Sequence, residues 1–464
     1  MGEPFDLIIQ GGTVVLPERV AKLDIGIRHG KIAEISESLV GTVSEVLDAT
    51  DKLVMAGLID MHVHLNEPGF GHWEGFETGS AALAAGGCTF YADMPLNGNP
   101  ATVSTDALKL KAELASGKSA VDYTFWGGLV PDNLDALKPL AEAGVFAFKA
   151  FMSEPGGEGE ERLRRADDWT LYQGMKRIAA FGGILALHAE SDSITARLAE
   201  AAVAEGRMTA ADFAASRPIV AETEAVNRAL YFARETGCAL HFVHISSSQA
   251  VDLIDAAKAE GLDVTLETCP HYLVLTETDM GRIGPAAKCA PPLRSGDAQE
   301  ALWEQLSNGR IDMITSDHSP CPESLKNKTG QTFMEAWGGI SGAQNTMELM
   351  IGEGHVRKGI PLTELSAMLS SSPATRFGFG DMKGRIALGF DADLVIIDPS
   401  NRYVLNREHL YQKHKHNPYL GREMLCRVVR TISRGVTVYS MEEGLKHSGA
   451  GQWAPKTTKR RDPL

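Results

Sequence analysis

The chain has 464 residues, 44% of them hydrophobic and 23% charged, with a formal net charge of −15. A chain of this size can bury a large core and divides into more than one structural unit, while its acidic balance argues against nucleic acid as a partner, since phosphate recognition draws on clustered Lys and Arg. No apolar run reaches the ~20 residues of a membrane-spanning helix, and the opening MGEPFDLIIQ lacks the basic and apolar regions of a signal peptide, so a cytoplasmic protein is expected.

In chain order, the first fifty residues read as short strands, FDLIIQGGTVV, LDIGIRHGKIAEI and VLDAT, with Gly at the turns. A matching set, GRIALGFDADLVIID and CRVVRTISRGVTVY, lies near the other end. Neither set has enough apolar surface for a core of its own, so one β-sandwich built from residues 1–54 and 384–445 is predicted. Residues 446–464 read as a polar C-terminal tail, whose basic cluster from Lys456 to Arg461 is expected to be disordered or to sit at a subunit contact.

Residues 55–383 alternate strand and helix signals, which predicts a catalytic (β/α)8 TIM barrel, an α/β fold. The eight strands fall at about 58–64, 88–94, 123–129, 144–150, 183–188, 239–245, 263–268 and 312–317. Helical stretches such as ALKLKAELASG, LDALKPLAEAG, TEAVNRALYFARETG and SSQAVDLIDAAKAEG each end in Gly. No GxGxxG follows the first of these strands, which removes the usual sign of a dinucleotide site. The six cysteines are scattered without a CxxC pair and are read as reduced thiols.

Six residues of ligand type stand at or near the ends of these strands: His62 and His64, Lys149, His188, His244 and Asp317. His62 and His64 are two apart on a strand and share a face with Asp60, so all three point into the barrel. Lys149 shares the face of Val145 and Ala147, which aims an ammonium at the interior. That placement is costly unless the head finds a carboxylate or the amine has reacted with carbon dioxide to become an anionic carbamate. His241 has the opposite parity to His244 and is expected to face a helix as a packing residue. Five strands delivering such residues at one end are hard to explain by packing. Imidazole and oxygen donors without thiolate suit Zn2+, and also Mn2+, Co2+ or Fe2+, and two such ions could hold a hydroxide between them at neutral pH.

With MAGLIDMHVH, FKAFM, LALHAES, HFVHISS, ITSDHSP and the terminal GFDADLVIID, the chain resembles the cyclic amidohydrolases of the amidohydrolase superfamily over nearly its whole length. This resemblance implies that His62, His64, carboxylated Lys149 and Asp317 hold one metal, that Lys149, His188 and His244 hold the other, and that Asp317 is also the acid/base. It further implies a homotetramer acting on a small cyclic amide, with no nucleic acid or membrane partner. Dihydroorotases of this kind carry Arg where Asn66 stands, and hydantoinases a Tyr where Glu154 stands. Those departures, with WEGFETG and DMPLN, make the chain most similar to the allantoinase branch, which implies opening of allantoin to allantoate in purine catabolism, with a hydantoin, dihydropyrimidine or dihydroorotate ring as the alternative and a non-catalytic scaffold as a remote one.

Asn66 and Asn97 are candidate substrate contacts, with turn chemistry as the alternative. Ser319, Cys289 in KCAPPLR, and Gly338 and Gly339 in WGGISGAQN are expected to line the pocket, the glycines by allowing close backbone approach. His271 and His318 are expected to support the ligands or to be structural, and HKHNPY, with His414 and His416, reads as a solvated loop.

Overall fold

In the computed structural model, which describes residues 3–156 and 163–456, both ends of the chain enter one nine-stranded sheet. A bulge between Ile9 and Gly12 bends the long strand Phe5–Val15. Its first half pairs with Val43–Asp48 and its second half with Leu53–Ala56. Leu53–Ala56 then pairs with Leu394–Asp398, which joins the N-terminal strands to the C-terminal ones. Leu7, Ile9, Ile25 and Ile27 from one end meet Val54, Leu394, Ile396 and Ile432 in a single apolar cluster. The period-two alternation of these strands is what supplies that common face.

The chain passes from sheet to barrel at Gly57, where a Cβ would come within 2.2 Å of the Thr89 hydroxyl. The barrel strands are Leu58–Val63, Cys88–Asp93, Asp122–Phe125 continuing as Gly127–Gly128, Phe148–Phe151, Ile184–His188, Ala239–Phe242, Val264–Thr268 and Met313–Ile314. All neighbouring pairs are parallel. The cylinder closes where Val63 bridges His318 and the His64 amide donates to the His318 carbonyl at 2.8 Å. The surrounding helices begin on the side chains their sequence supplies: Ser104, Asp167, Ser247 and Ser295 each accept from an amide in the first turn.

Inward residues fill the lower barrel with Ile59, Met61, Phe90, Trp126, Val243 and Met313, and Phe377 and Phe379 plug its base. The Trp126 indole donates to the Met61 carbonyl at 2.8 Å, which satisfies its polar edge inside the core. The upper barrel is polar, and that is where the ligand-type residues stand.

Two expectations need correction. The fourth strand begins at Phe148 rather than near residue 144, and the eighth ends at Ile314. The polar tail expected from residue 446 is not loose as far as residue 456. Tyr123 donates to the Gln452 carbonyl and accepts from the Ala454 amide, so this segment lies along the third barrel strand. Of the basic cluster, residues 457–461 lie outside the described residues.

Candidate active site

The structure brings the six ligand-type residues together in one buried, polar chamber. Nε2 of His62 and Nε2 of His64 lie 3.2 and 3.4 Å from one oxygen of Asp317, and ligand atoms of the three residues all fall within 4.8 Å of one another. His188 Nδ1 is 3.0 Å from His244 Nε2. The His62 and His244 ring centroids are 5.4 Å apart, so the two groups adjoin. Lys149 stands beside both, its Nζ 5.1 Å from the Phe151 ring centre and fully buried without a hydrogen-bond partner.

Strand parity accounts for only part of this. His62 lies within its strand and His188 ends its own, but His244 and Asp317 lie beyond Phe242 and Ile314. Both have positive φ, 40° and 45°, an uncommon conformation for a residue with a Cβ that turns the backbone back over the barrel mouth. Parity therefore misassigned His241. It points into the barrel, where Nε2 lies 3.1 Å from Glu267 and Nδ1 is 2.8 Å from the Thr265 hydroxyl.

Glu267 is the main residue that sequence reasoning passed over. One oxygen bonds His62 Nδ1 and the other serves His241, so a single buried carboxylate sits under the site. Its signal was present: a carboxylate at an inward position of the barrel strand VTLET, where a core would take an apolar residue. Glu190 does the same for His188, accepting from Nε2 at 2.8 Å, and is itself paired with Arg217. Asp60 accepts from the amides of His62 and Ser316, tying the first strand to the last, and burial pushes its pKa up to about 7.

The electrostatics suit ligation. Burial, reinforced by the nearby Lys149, holds the His188 and His244 imidazoles below their usual range and so neutral, and burial also lowers His62. Burial opposes the Asp317 carboxylate, but His62 and His64 overcome it and hold its pKa at about 2. Burial brings the Lys149 amine down to about 7. Four imidazoles, a carboxylate and an unpartnered buried amine form an N/O donor set able to hold divalent ions. With Nδ1 of His62 committed to Glu267, its Nε2 lone pair is left for a ligand.

The expected substrate contacts divide into those at the site and those beside it. Asn66 and Asn97, both at positive φ, form a chain with Ser319: Asn66 Nδ2 donates to the Asn97 carbonyl at 3.2 Å, and Asn97 Nδ2 to the Ser319 hydroxyl at 3.3 Å. The Asn66 Oδ1 is buried without a partner. Cys289 is buried, its thiol pushed by burial up to about 12. The close approach at Gly339 is to Ser319, whose carbonyl a Cβ would meet at 2.5 Å, whereas Gly338 has open space around its Cβ position.

His271 is buried near Asp317 with both ring nitrogens unpartnered, and burial lowers it to about 4. His318 accepts from the Gly342 amide at 3.2 Å. The HKHNPY stretch is not a solvated loop: His416 and Asn417 are buried, bonded to the carbonyls of Cys321 and Ser341. Their polar side chains satisfy backbone groups of neighbouring loops, a tertiary demand invisible in local composition.

The amidohydrolase family profile matches residues 53–438, and the chain belongs to that family. It is 47% identical over 438 residues to the allantoinase of Deinococcus radiodurans, covering 94% of this chain and 96% of the relative. It is 48% identical over 436 residues to the allantoinase of Rubrobacter xylanophilus, covering 94% of each. Among solved structures, the L-hydantoinase (dihydropyrimidinase) of Arthrobacter aurescens superposes with a TM-score of 0.93 at 33% identity, over 97% of this chain and 100% of that one. The D-hydantoinase of a Thermus species gives 0.89 at 28%, over 97% and 99%.

Proposed function

We propose that this amidohydrolase opens the hydantoin ring of allantoin by hydrolysis, giving allantoate, a step of purine catabolism. The observation that carries the reading is near-full-length identity of 47 and 48% to two allantoinases, well above the 33 and 28% to the structurally similar hydantoinases. Asn66, uncharged and at the edge of the chamber, offers no counter-ion for a substrate carboxylate, which speaks against dihydroorotate. Hydantoin and dihydropyrimidine rings are the second reading, favoured by the TM-score of 0.93 to a hydantoinase.

In this reading His62, His64 and Asp317 hold one divalent ion and His188 and His244 the other. Lys149 joins them as a carbamate, formed when its amine takes up carbon dioxide and releases a proton. The unpartnered, buried Nζ and its pKa of about 7 support that assignment, because a neutral amine is the form that reacts. Zn2+ is the first candidate for both ions, with Mn2+, Co2+ and Fe2+ as alternatives. Bound there, the ions would supply Lewis acidity and a water acidified towards ~7. Asp317, held ionised, takes a proton from the attacking water and returns it to the ring nitrogen as the C–N bond breaks. Glu267 and Glu190 fix the tautomers of His62 and His188.

Six free, buried cysteines fit a reducing compartment, the cytoplasm, and no described helix is long and apolar enough to cross a membrane. Assembly as a homotetramer is carried from the sequence resemblance. The deciding experiment compares kcat/KM for allantoin, hydantoin, dihydrouracil and dihydroorotate on one metal-loaded sample. Allantoin should lead by a wide margin, since sites built to bond polar groups discriminate by ~10^4 or more. A higher value for any other ring overturns the substrate.

A further inference from the structure

Two buried lysines outside the ligand cluster converge on one irregular segment. Lys288 Nζ donates to the carbonyls of Phe333, Met334 and Ala336 at 2.8, 2.9 and 2.6 Å. Lys326 Nζ donates to those of Pro285, Trp337 and Gly339 at 2.8, 2.8 and 2.6 Å. An ammonium has three N–H donors and no acceptor, so each head is saturated by carbonyls alone. Of the seven carbonyls from Phe333 to Gly339, three go to Lys288 and two to Lys326. The segment has no helix or strand to receive them, and among the described hydrogen bonds both ammonium heads go to carbonyls alone.

The segment leads to the site. The Gly339 amide donates to the Lys288 carbonyl at 2.7 Å, and the Ser319 amide to the Ile340 carbonyl at 2.9 Å, two residues past Asp317. Trp337, in the middle of it, stands edge-on to Trp73 with ring centres 4.8 Å apart. The two indoles wall a cavity of about 230 Å³ together with Phe70, Asn97 and Asn99. Asn97 is the residue that bonds Ser319, so this cavity adjoins the chamber.

We propose that Lys288 and Lys326 are a pair of ammonium clamps that hold Phe333–Gly339 against the barrel and thereby keep Trp337 as a wall of the substrate's entry. They are positioning residues and touch neither ion nor ring. Burial, joined at Lys288 by the neighbouring Lys326, lowers these amines to about 7 and about 8, so the clamp weakens as pH rises through that range: a neutral amine has two N–H donors and turns a lone pair towards a third carbonyl. The proposal rests on reading the adjoining chamber as a site that opens a cyclic amide.

The test uses Lys288→Met, Lys326→Met and Trp337→Phe in the full-length, metal-loaded protein. Losing a charge-assisted bond should speed amide hydrogen exchange across 333–340 by about tenfold or more in each lysine variant, with exchange in barrel strands unchanged. KM for the ring should rise by about tenfold while kcat stays within a few-fold, the signature of lost binding that is equal in ground and transition states. Trp337→Phe keeps both clamps and should raise KM without altering exchange. Wild-type exchange in the lysine variants overturns the clamp, and an unchanged KM in Trp337→Phe overturns its action through the indole. If a lysine variant does not fold, Trp337→Phe still decides the second point, and strong wild-type protection of 333–340 is required for the first. Failure to open allantoin would overturn the substrate reading alone, because exchange is measured without substrate.

Discussion

Replacing Glu267 with Gln is the sharpest perturbation of the proposed metal centre, because it changes charge and acceptor count at nearly constant volume. Both oxygens of the carboxylate are in use, one on His62 Nδ1 and the other on His241 Nε2 at 3.1 Å, and the residue is completely buried. Burial disfavours the ionised form, yet the two imidazoles hold it well below the usual carboxylate range. A glutamine has one acceptor oxygen, so one imidazole N–H must face an amide N–H. When that imidazole is His62, the tautomer presenting a lone pair at Nε2 loses its advantage. Partners of this kind contribute ~10–100-fold to metal affinity, which is about 1.4–2.7 kcal/mol. Glu267→Ala would instead leave one nitrogen of each of two buried imidazoles unsatisfied, at a cost of ~1–3 kcal/mol apiece to the fold, which confounds the reading. Affinity is measured by competition for Zn2+ or Co2+ against a chromophoric chelator, with the Co2+ absorption spectrum reporting ligand geometry. Wild-type affinity and an unchanged spectrum in Glu267→Gln would refute the role given to this carboxylate.

Lys149→Ala should lose bound metal and activity together, and short carboxylic acids should partly restore the rate by replacing the carbamate; an unaltered metal content and rate would exclude a bridging role. Chelation should abolish ring opening and Zn2+, Mn2+ or Co2+ restore it, with bicarbonate speeding recovery, whereas full activity in a metal-free sample would end the reading. Asp317→Asn should lower kcat by ~10^2–10^4, and a loss of less than about tenfold would remove it as acid/base. Away from the site, burial raises Glu348 to about 7, although Tyr403 and the Val428 amide bond its carboxylate. A carboxyl with a raised folded-state pKa stabilises the fold below its unfolded value near 4.5, and this contribution is lost as pH rises through about 7. Chemical denaturation should therefore show wild-type stability falling by on the order of 3 kcal/mol between pH 4.5 and 7 from this group. Glu348→Gln should flatten that slope, and an identical slope in the variant would count against the buried acid.

Local chemistry in the sequence was enough for the order of the barrel strands, for the terminal sheet and for picking the six residues that meet in one chamber. Period-two alternation, Gly at helix ends and ionisable residues at strand ends are short-range signals. Strand parity also set the inward direction of Lys149, which lies in a regular strand, whereas His62 stands at an irregularity between Asp60 and Val63. It failed at His241 and His244 because the strand ends at Phe242 and the backbone of His244 turns to φ 40°.

Only the tertiary structure decided what lies beneath and around these six residues. Glu267 reaches His62 across 205 residues, Arg217 reaches Glu190 across 27, and Lys326 grips a segment 11 to 13 residues away that has no pattern of its own. Such contacts satisfy buried polar groups, and the need exists only once the chain has closed and water has gone. The sequence by itself determined the reaction type through the kinds of donor it places at strand ends. Which nitrogen of His62 and of His188 is left free was decided by Glu267 and Glu190, neighbours that only the closed barrel assembles.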